Sequence, residues 1–159
     1  MTDLEMIKVS GQQKTALWNV LQKYLYEMTG YYENAMESDG NFPYRYFEAY
    51  FENEPGREAF FFLKDKTAVG FAMINTHSFS GDKVDHCLAE FTIFPAFRHK
   101  GIAAAAAEKL FSAKQGKWQL KYSAVNKAGM SFWKRVLLPY HPLEEKLNEN
   151  EFLVSFITS

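Results

Sequence analysis

Between Cys87 and Ala113 the chain changes its period once, and that change constrains the fold more than any other feature. Cys87 to Phe94 is an apolar run that stops at Pro95. A basic turn follows, Arg98-His99-Lys100, and Gly101 opens an alanine-rich stretch from Ile102 to Ala113. Alanine is the best helix former, so this spacing predicts a strand, a turn and a helix. A strand feeding directly into a helix belongs to an α/β architecture.

The flanking sequence fills in around that core. Ser10 and Gln13 fit a capping box, and Ala16, Leu17, Val20, Leu21, Tyr24, Leu25 and Met28 recur at helical spacing. Gln12 to Met28 is therefore expected to be an amphipathic helix, closed by Gly30. Tyr31 to Asn41 reads as an acidic loop, and Pro43 starts a short second helix ending near Pro55-Gly56. Ala59 to Leu63, Val69 to Thr76 and Cys87 to Phe94 are apolar runs separated by turn residues, which predicts an antiparallel meander. Beyond Ala113 the pattern predicts a strand over Trp118–Val125, a helix over Ala128–Leu138 and a strand over Phe152–Ile157. No repeat or linker interrupts the chain, so residues 1–159 are read as one domain.

Composition narrows the class. Net charge is −1, so no nucleic-acid partner is expected. No apolar run approaches the roughly 20 residues of a membrane helix, so no membrane partner is expected either. Met1 to Val9 mixes charged and apolar residues, unlike a signal peptide, and the one cysteine, Cys87, cannot pair internally. The expected location is the cytoplasm. Aromatic residues make up 17% of the chain, enough for a core and an aromatic-lined pocket besides.

The segment Arg98 to Ala103 carries the chemistry. A helix start leaves backbone N–H groups unpaired, and the helix dipole adds partial positive charge there. Gly101 admits a phosphate oxygen close to the backbone, Ala103 keeps the next approach open, and Arg98, His99 and Lys100 bring positive charge to the rim. A pyrophosphate suits such a row of donors. The segment is not a Walker loop, because Gly-Lys-Ser/Thr is missing, nor a dinucleotide fingerprint, because the spaced glycines are absent.

Arg-x-x-Gly-x-Ala after an apolar-x-Pro strand end resembles motif A of the GNAT (GCN5-related) N-acetyltransferase superfamily. Asn126 and the helix carrying Phe132-Trp133 resemble its motif B. Tyr46-Phe47, Glu90-Phe91 and Phe132-Trp133-Lys134-Arg135 are similar, more loosely, to a subgroup of uncharacterised predicted acetyltransferases. The resemblance implies a mixed central sheet with an antiparallel N-terminal meander, two splayed parallel strands, and helices on both faces. It implies acetyl-CoA as cosubstrate, no metal, and a small-molecule or peptide amine as acceptor; a homodimer is left open.

The cosubstrate would lie between the strands Cys87–Phe94 and Trp118–Val125. It would meet the backbone of Phe91, Thr92 and Ile93, the loop Arg98, His99, Lys100, Gly101, Ile102 and Ala103, and Asn126 and Trp133. Transfer by direct attack of the amine needs no enzyme nucleophile, which leaves Cys87 a small apolar residue. Glu90 is the candidate base, with His86 and His77 behind it. Family members often place an acidic tyrosine seven residues after the asparagine, where this chain has Trp133, whose indole is no acid. The acid is then water or a tyrosine such as Tyr122 or Tyr140. Tyr31, Tyr32, Tyr46 and Tyr50 with Glu33, Glu37, Asp39 and Glu48 would suit a cationic amine, or form only an aromatic core and a solvated acidic loop. A non-catalytic acyl-CoA sensor is the alternative to an enzyme, and an unrelated phosphate ligand a third reading.

Overall fold

The computed structural model describes residues 3–159. Among these residues seven strands form one sheet: β1 (Leu4–Lys8), β2 (Glu58–Lys64), β3 (Thr67–Asn75), β4 (His86–Ile93), β5 (Gly116–Ser123), β6 (Leu143–Lys146) and β7 (Glu151–Thr158). Their spatial order is β1-β2-β3-β4-β5-β7-β6. Only β4 and β5 run parallel; every other pair is antiparallel. The helices are α1 (Lys14–Met28), α2 (Ile102–Ala113) and α3 (Lys127–Leu137). The chain divides into two compact units, Val9–Pro55 and the sheet with α2 and α3.

The expected meander is β2-β3-β4, and α2 spans the predicted Ile102–Ala113. The strands expected from the sequence do not include β1 and β6. β1 is a five-residue edge strand in a segment read as terminal and mixed. β6 is Leu-Glu-Glu-Lys, exposed at every position, and its place comes only from its ladder with β7. With no buried face it has no apolar alternation to read.

In the sheet unit α2 and α3 close one core with Phe60, Phe62, Val69, Ile74, Leu88, Trp118, Leu120 and Phe156. Phe111 on α2 lies at its centre, with ring centroids 5.1 Å from both Trp118 and Phe156 and 6.4 Å from Trp133. Burying such rings from water is the main favourable term here. The alternate residues Phe61, Phe71, Met73, Cys87 and Leu153 are buried as well.

In the other unit the Ser10 N–H donates to Gln13 Oε1 at 3.0 Å, and a 3-10 turn over Gly11–Gln13 leads into α1. The second helix expected after Pro43 is corrected: only one 3-10 turn, Glu48–Tyr50, forms there. Tertiary bonds override the local signal. Gln22 clamps the backbone of Phe42, with Nε2 donating to its carbonyl at 2.8 Å and Oε1 accepting its N–H at 2.5 Å. Phe47 packs against Trp18 (4.9 Å) and Phe51 (5.4 Å), and aromatic side chains lose rotamer freedom in a helix.

Candidate active site

The parallel pair β4–β5 is joined only at its start, where His86 faces Trp118 and Cys87 faces Gln119. Past that point the strands run on unpaired with each other, β4 to Ile93 and β5 to Ser123. A β-bulge explains the parting. In the β3–β4 ladder Met73 faces Glu90 and Ile74 faces Leu88, so Ala89 is an extra residue on β4. A bulge bends its strand and increases the twist. This bulge sits two residues after the last β4–β5 pair, so β4 turns away from β5 there. The sequence carried a sign of it: Leu88, Phe91 and Ile93 are apolar core-facing residues whose first step is three, not two.

Along the stretch where β4 has left β5, its backbone still pairs with β3 on one side. The Phe94 N–H donates to the Val69 carbonyl on β3 at 2.8 Å. Because successive residues alternate sides, the N–H and C=O groups of Phe91 and Ile93 point away from β3, into the opening beside β5. One of these groups is already taken, since Arg98 Nε donates to the Ile93 carbonyl at 2.7 Å. The Arg98 guanidinium also donates to Thr92 Oγ1 at 3.2 Å. Arg98 therefore ties the loop to the strand end, and Phe91 N–H, Phe91 C=O and Ile93 N–H are left along the opening.

The loop then delivers a helix start. A 3-10 turn over Pro95–Phe97 follows β4, and His99 and Gly101 both take positive φ, 63° and 78°. Nothing lies within 4 Å of a Cβ placed on Gly101, so its backbone angle, not crowding, calls for glycine. The first helical bond runs from Ala105 N–H to Gly101 C=O at 3.2 Å, which leaves the preceding N–H groups directed out of the helix end. Among the described residues no side chain caps α2. His99 and Lys100 are exposed beside it.

Asn126 lies at the start of α3 and its Oδ1 accepts the Gly129 N–H at 3.0 Å. A Cβ on Gly129 would stand 2.6 Å from the Asn126 Nδ2, so glycine is needed for that cap. Trp133 is 9% exposed and packs edge-on against Phe91 at 5.2 Å, on the core side of β4. Glu90 is half-buried, its neighbour in register Met73 on β3, and it alternates with Phe91 to the other face. Cys87 is fully buried, and burial pushes its thiol up to about 11. His86 lies at the joined end of the pair, with Nε2 3.3 Å from the Gln115 carbonyl, and burial holds its pKa below the usual imidazole value.

The two alternative tyrosines are placed differently. Tyr140 donates to Glu108 Oε2 at 3.0 Å, and burial followed by that carboxylate raises its pKa. Tyr122 stands on the diverging part of β5, 5% exposed, with a buried hydroxyl that has no hydrogen-bond partner. Within the Val9–Pro55 unit a cavity of about 530 Å³ is lined by Lys14, Thr15, Trp18, Tyr44, Phe47 and Glu48. Of the acids suggested for an amine only Glu48 lines it, and Lys14 pairs with Glu48. Tyr46 already has the Arg45 guanidinium 5.2 Å from its ring. Glu48 and Tyr46 therefore each face a cation of the chain itself.

Among the described residues no cluster of His, Cys, Asp and Glu is arranged to hold a metal ion, and no helix is long and apolar enough to cross a membrane.

A mixed sheet whose one parallel pair opens toward an uncapped helix start is the architecture of the N-acetyltransferase fold, and solved structures share it over the whole chain. The PaiA N-acetyltransferase of Thermoplasma acidophilum, in complex with coenzyme A, is 16% identical with a TM-score of 0.60, covering 98% of this chain and 99% of that one. The ribosomal-protein-S18-alanine N-acetyltransferase of Escherichia coli is 12% identical, TM-score 0.64, over 98% and 94%. The diaminobutyrate acetyltransferase of Paenibacillus lautus, in complex with L-2,4-diaminobutyric acid and coenzyme A, is 12% identical, TM-score 0.62, over 99% and 96%. No curated protein matches the chain by sequence. The model of the acetyltransferase (GNAT) family matches residues 16–137. The chain belongs to the GNAT family of acetyltransferases.

Proposed function

We propose that residues 1–159 form one acetyltransferase domain that moves an acetyl group from acetyl-CoA to a primary amine on a small molecule or peptide. The observation that carries this reading is the opening between β4 and β5, which leads from unpaired strand backbone to the uncapped start of α2. Two of the similar structures hold coenzyme A. The residues fit such a ligand: a row of free N–H donors matches a pyrophosphate, and an unpaired strand edge matches the amide-bearing pantetheine arm.

Acetyl-CoA supplies an activated acetyl thioester. The chain's own groups do the rest. The N–H groups at the start of α2 hold the pyrophosphate, with His99 and Lys100 at the rim and Arg98 bracing the loop. The Phe91 and Ile93 backbone aligns the pantetheine arm and polarises the thioester carbonyl. Thr92 fixes Arg98, and Asn126, whose Oδ1 caps α3, would meet the ligand at the start of that helix. Trp133 backs Phe91 against the arm. Glu90, on the other face of β4, takes the amine proton. Cys87 takes no part: its thiol is protonated near neutral pH, and it lies at the joined end of the pair.

Calorimetry with acetyl-CoA and thiol release across a panel of primary amines test this reading. Tight binding with turnover of one amine class supports it. Binding without turnover of any amine would make the protein a sensor of acyl-CoA. Glu90→Gln is expected to lower kcat by roughly 10²–10⁴ with acetyl-CoA affinity little changed, because the carboxylate acts on the amine and not on the cosubstrate.

A further inference from the structure

β6 is the last strand of the sheet, bonded only to β7, and Leu143, Glu144, Glu145 and Lys146 are all exposed. An edge strand presents a row of unpaired N–H and C=O groups to any strand that fits it. Here the phase of those groups is fixed. The Leu147 N–H donates to the Glu151 carbonyl at 2.9 Å, continuing the β6–β7 ladder by one residue. Leu143, Glu145 and Leu147 therefore turn their backbone groups toward β7, and Glu144 and Lys146 turn theirs out of the sheet. Among the described residues the side chains of Glu144, Glu145 and Lys146 make no hydrogen bond or ion pair.

Charge on an edge usually keeps other strands away. The order of charges on β6 makes one exception, a second copy of itself. Two such edges join antiparallel about a twofold axis only where outward groups meet outward groups, so a whole residue of β6 must sit on the axis. With Glu144 on the axis, Glu144 faces its own copy. With Lys146 there, Lys146 faces its own copy. Each of those registers bonds like charges side by side. With Glu145 on the axis, Glu144 lies opposite Lys146 of the second copy, and symmetry makes that pair twice.

The same register matches the apolar residues. It sets Leu143 opposite Leu147 of the second copy, again twice. Leu143 is 76% exposed and Leu147 40%. Leu143 shares the sheet face of Ser155, away from α2 and α3, and Ile157, 65% exposed, lies diagonally beside it there. Pairing therefore covers exposed aliphatic side chains and satisfies the free backbone groups of both edges. Its one unfavourable contact is Glu145 against its own copy on the axis.

We propose that β6 pairs with β6 of a second copy of this chain, antiparallel and with Glu144 against Lys146, so that two sheets join into one. The contact is one short strand from each copy, far below the roughly 1,600 Å² of a standard interface, so the dimer is weak and reversible. Lys146 sets the register, and Glu145 weakens the pairing.

Sedimentation equilibrium of the unaltered chain over a range of concentrations reads the balance of monomer and dimer. Glu144→Lys and Lys146→Glu should each weaken the dimer about tenfold or more, since each turns two attracting cross-strand pairs into two repelling ones. Mixed in equal amounts, these two variants should associate again, because lysine then faces glutamate at both pairs. The double variant, Glu144→Lys with Lys146→Glu, should dimerise as the unaltered chain does. Glu145→Gln should tighten the dimer about threefold by removing the like-charge pair. All three positions are exposed, so the melting temperatures should not change.

A cysteine reads the register directly. Residues opposite each other in a non-hydrogen-bonded pair stand about 4.5 Å apart at Cα, within disulfide reach, so Glu145→Cys should cross-link two copies under mild oxidation and Glu144→Cys should not. Cys87 is fully buried and does not compete. Cross-linking through Glu144→Cys instead would overturn the register. A dimer indifferent to Lys146→Glu would place association on another surface. A chain still monomeric at about 1 mM would leave the edge to a strand of some other protein, and either result overturns the proposal.

Discussion

Two helices start at the open end of the sheet, and they start differently. α3 begins on Asn126, whose side chain accepts the Gly129 N–H at 3.0 Å. α2 begins on Gly101 at φ 78°, with no side chain on its free N–H groups. A side-chain cap is worth about 1 kcal/mol, and α2 forgoes it. The same contrast runs along α2 itself. At its far end Lys114 pairs with Glu58 at 2.6 Å, and the Trp118 indole donates to the Lys114 carbonyl at 2.8 Å. The chain satisfies one end of α2 with its own side chains and leaves the other without a side-chain cap. The proposed pyrophosphate site therefore rests more on this uncapped helix start than on the basic residues beside it, two of which are exposed and one of which braces the strand.

Gly101→Asp breaks the contrast most sharply. Aspartate tolerates positive φ better than most residues, and its carboxylate would accept the free N–H groups as Asn126 does on α3. Acetyl-CoA affinity should fall by more than about 10²-fold, since several charge-assisted bonds of roughly 1.5–3 kcal/mol each are lost to an internal anion. The melting temperature should hold or rise. Unchanged affinity in calorimetry would remove α2 from the site.

Asn126→Ala sharpens the contrast from the capped side. It should cost about 1 kcal/mol of stability in denaturant unfolding, because the Gly129 N–H loses its acceptor. A variant as stable as the unaltered protein would mean that the two helix starts do not differ energetically.

The smallest effect is at the far end of α2. Burial works against ionisation of Glu58, but the hydrogen bond and charge of Lys114, with Lys8, outweigh it and hold the carboxyl below its usual 4.5. A depressed carboxylate stabilises the fold fully above its unfolded pKa, and that contribution is lost as pH falls through the folded value. The stability gap between the unaltered protein and Glu58→Gln should be level at pH 6 and above and close below about 4.5. Its size should stay under about 1 kcal/mol for a partly exposed pair. A gap independent of pH would show that the pair does not anchor α2.

Much of this was legible in the chain. The alanine run placed α2 to the residue, because helix propensity and a preceding glycine act locally. The meander followed from apolar runs between turn residues, and the loop Arg98 to Ala103 from strand, proline, glycine and alanine in succession. Asn126 stood out in the sequence through its resemblance to motif B, but not as the cap of α3. The helix expected after Pro43 failed because Gln22, twenty residues away in sequence, fixes the backbone of Phe42.

By itself the sequence determined what short-range physics can dictate: where α2 starts, that Gly101 precedes it, that a strand leads into it, and that Trp133 brings no acid. Only the tertiary structure decided what those parts do together. Whether β4 and β5 part depends on an extra residue, Ala89, counted against β3. Which tyrosine is free depends on Glu108 reaching Tyr140 across 32 positions and on nothing reaching Tyr122. Register and partner choice are set by contacts between distant segments, and no local pattern of residues encodes them.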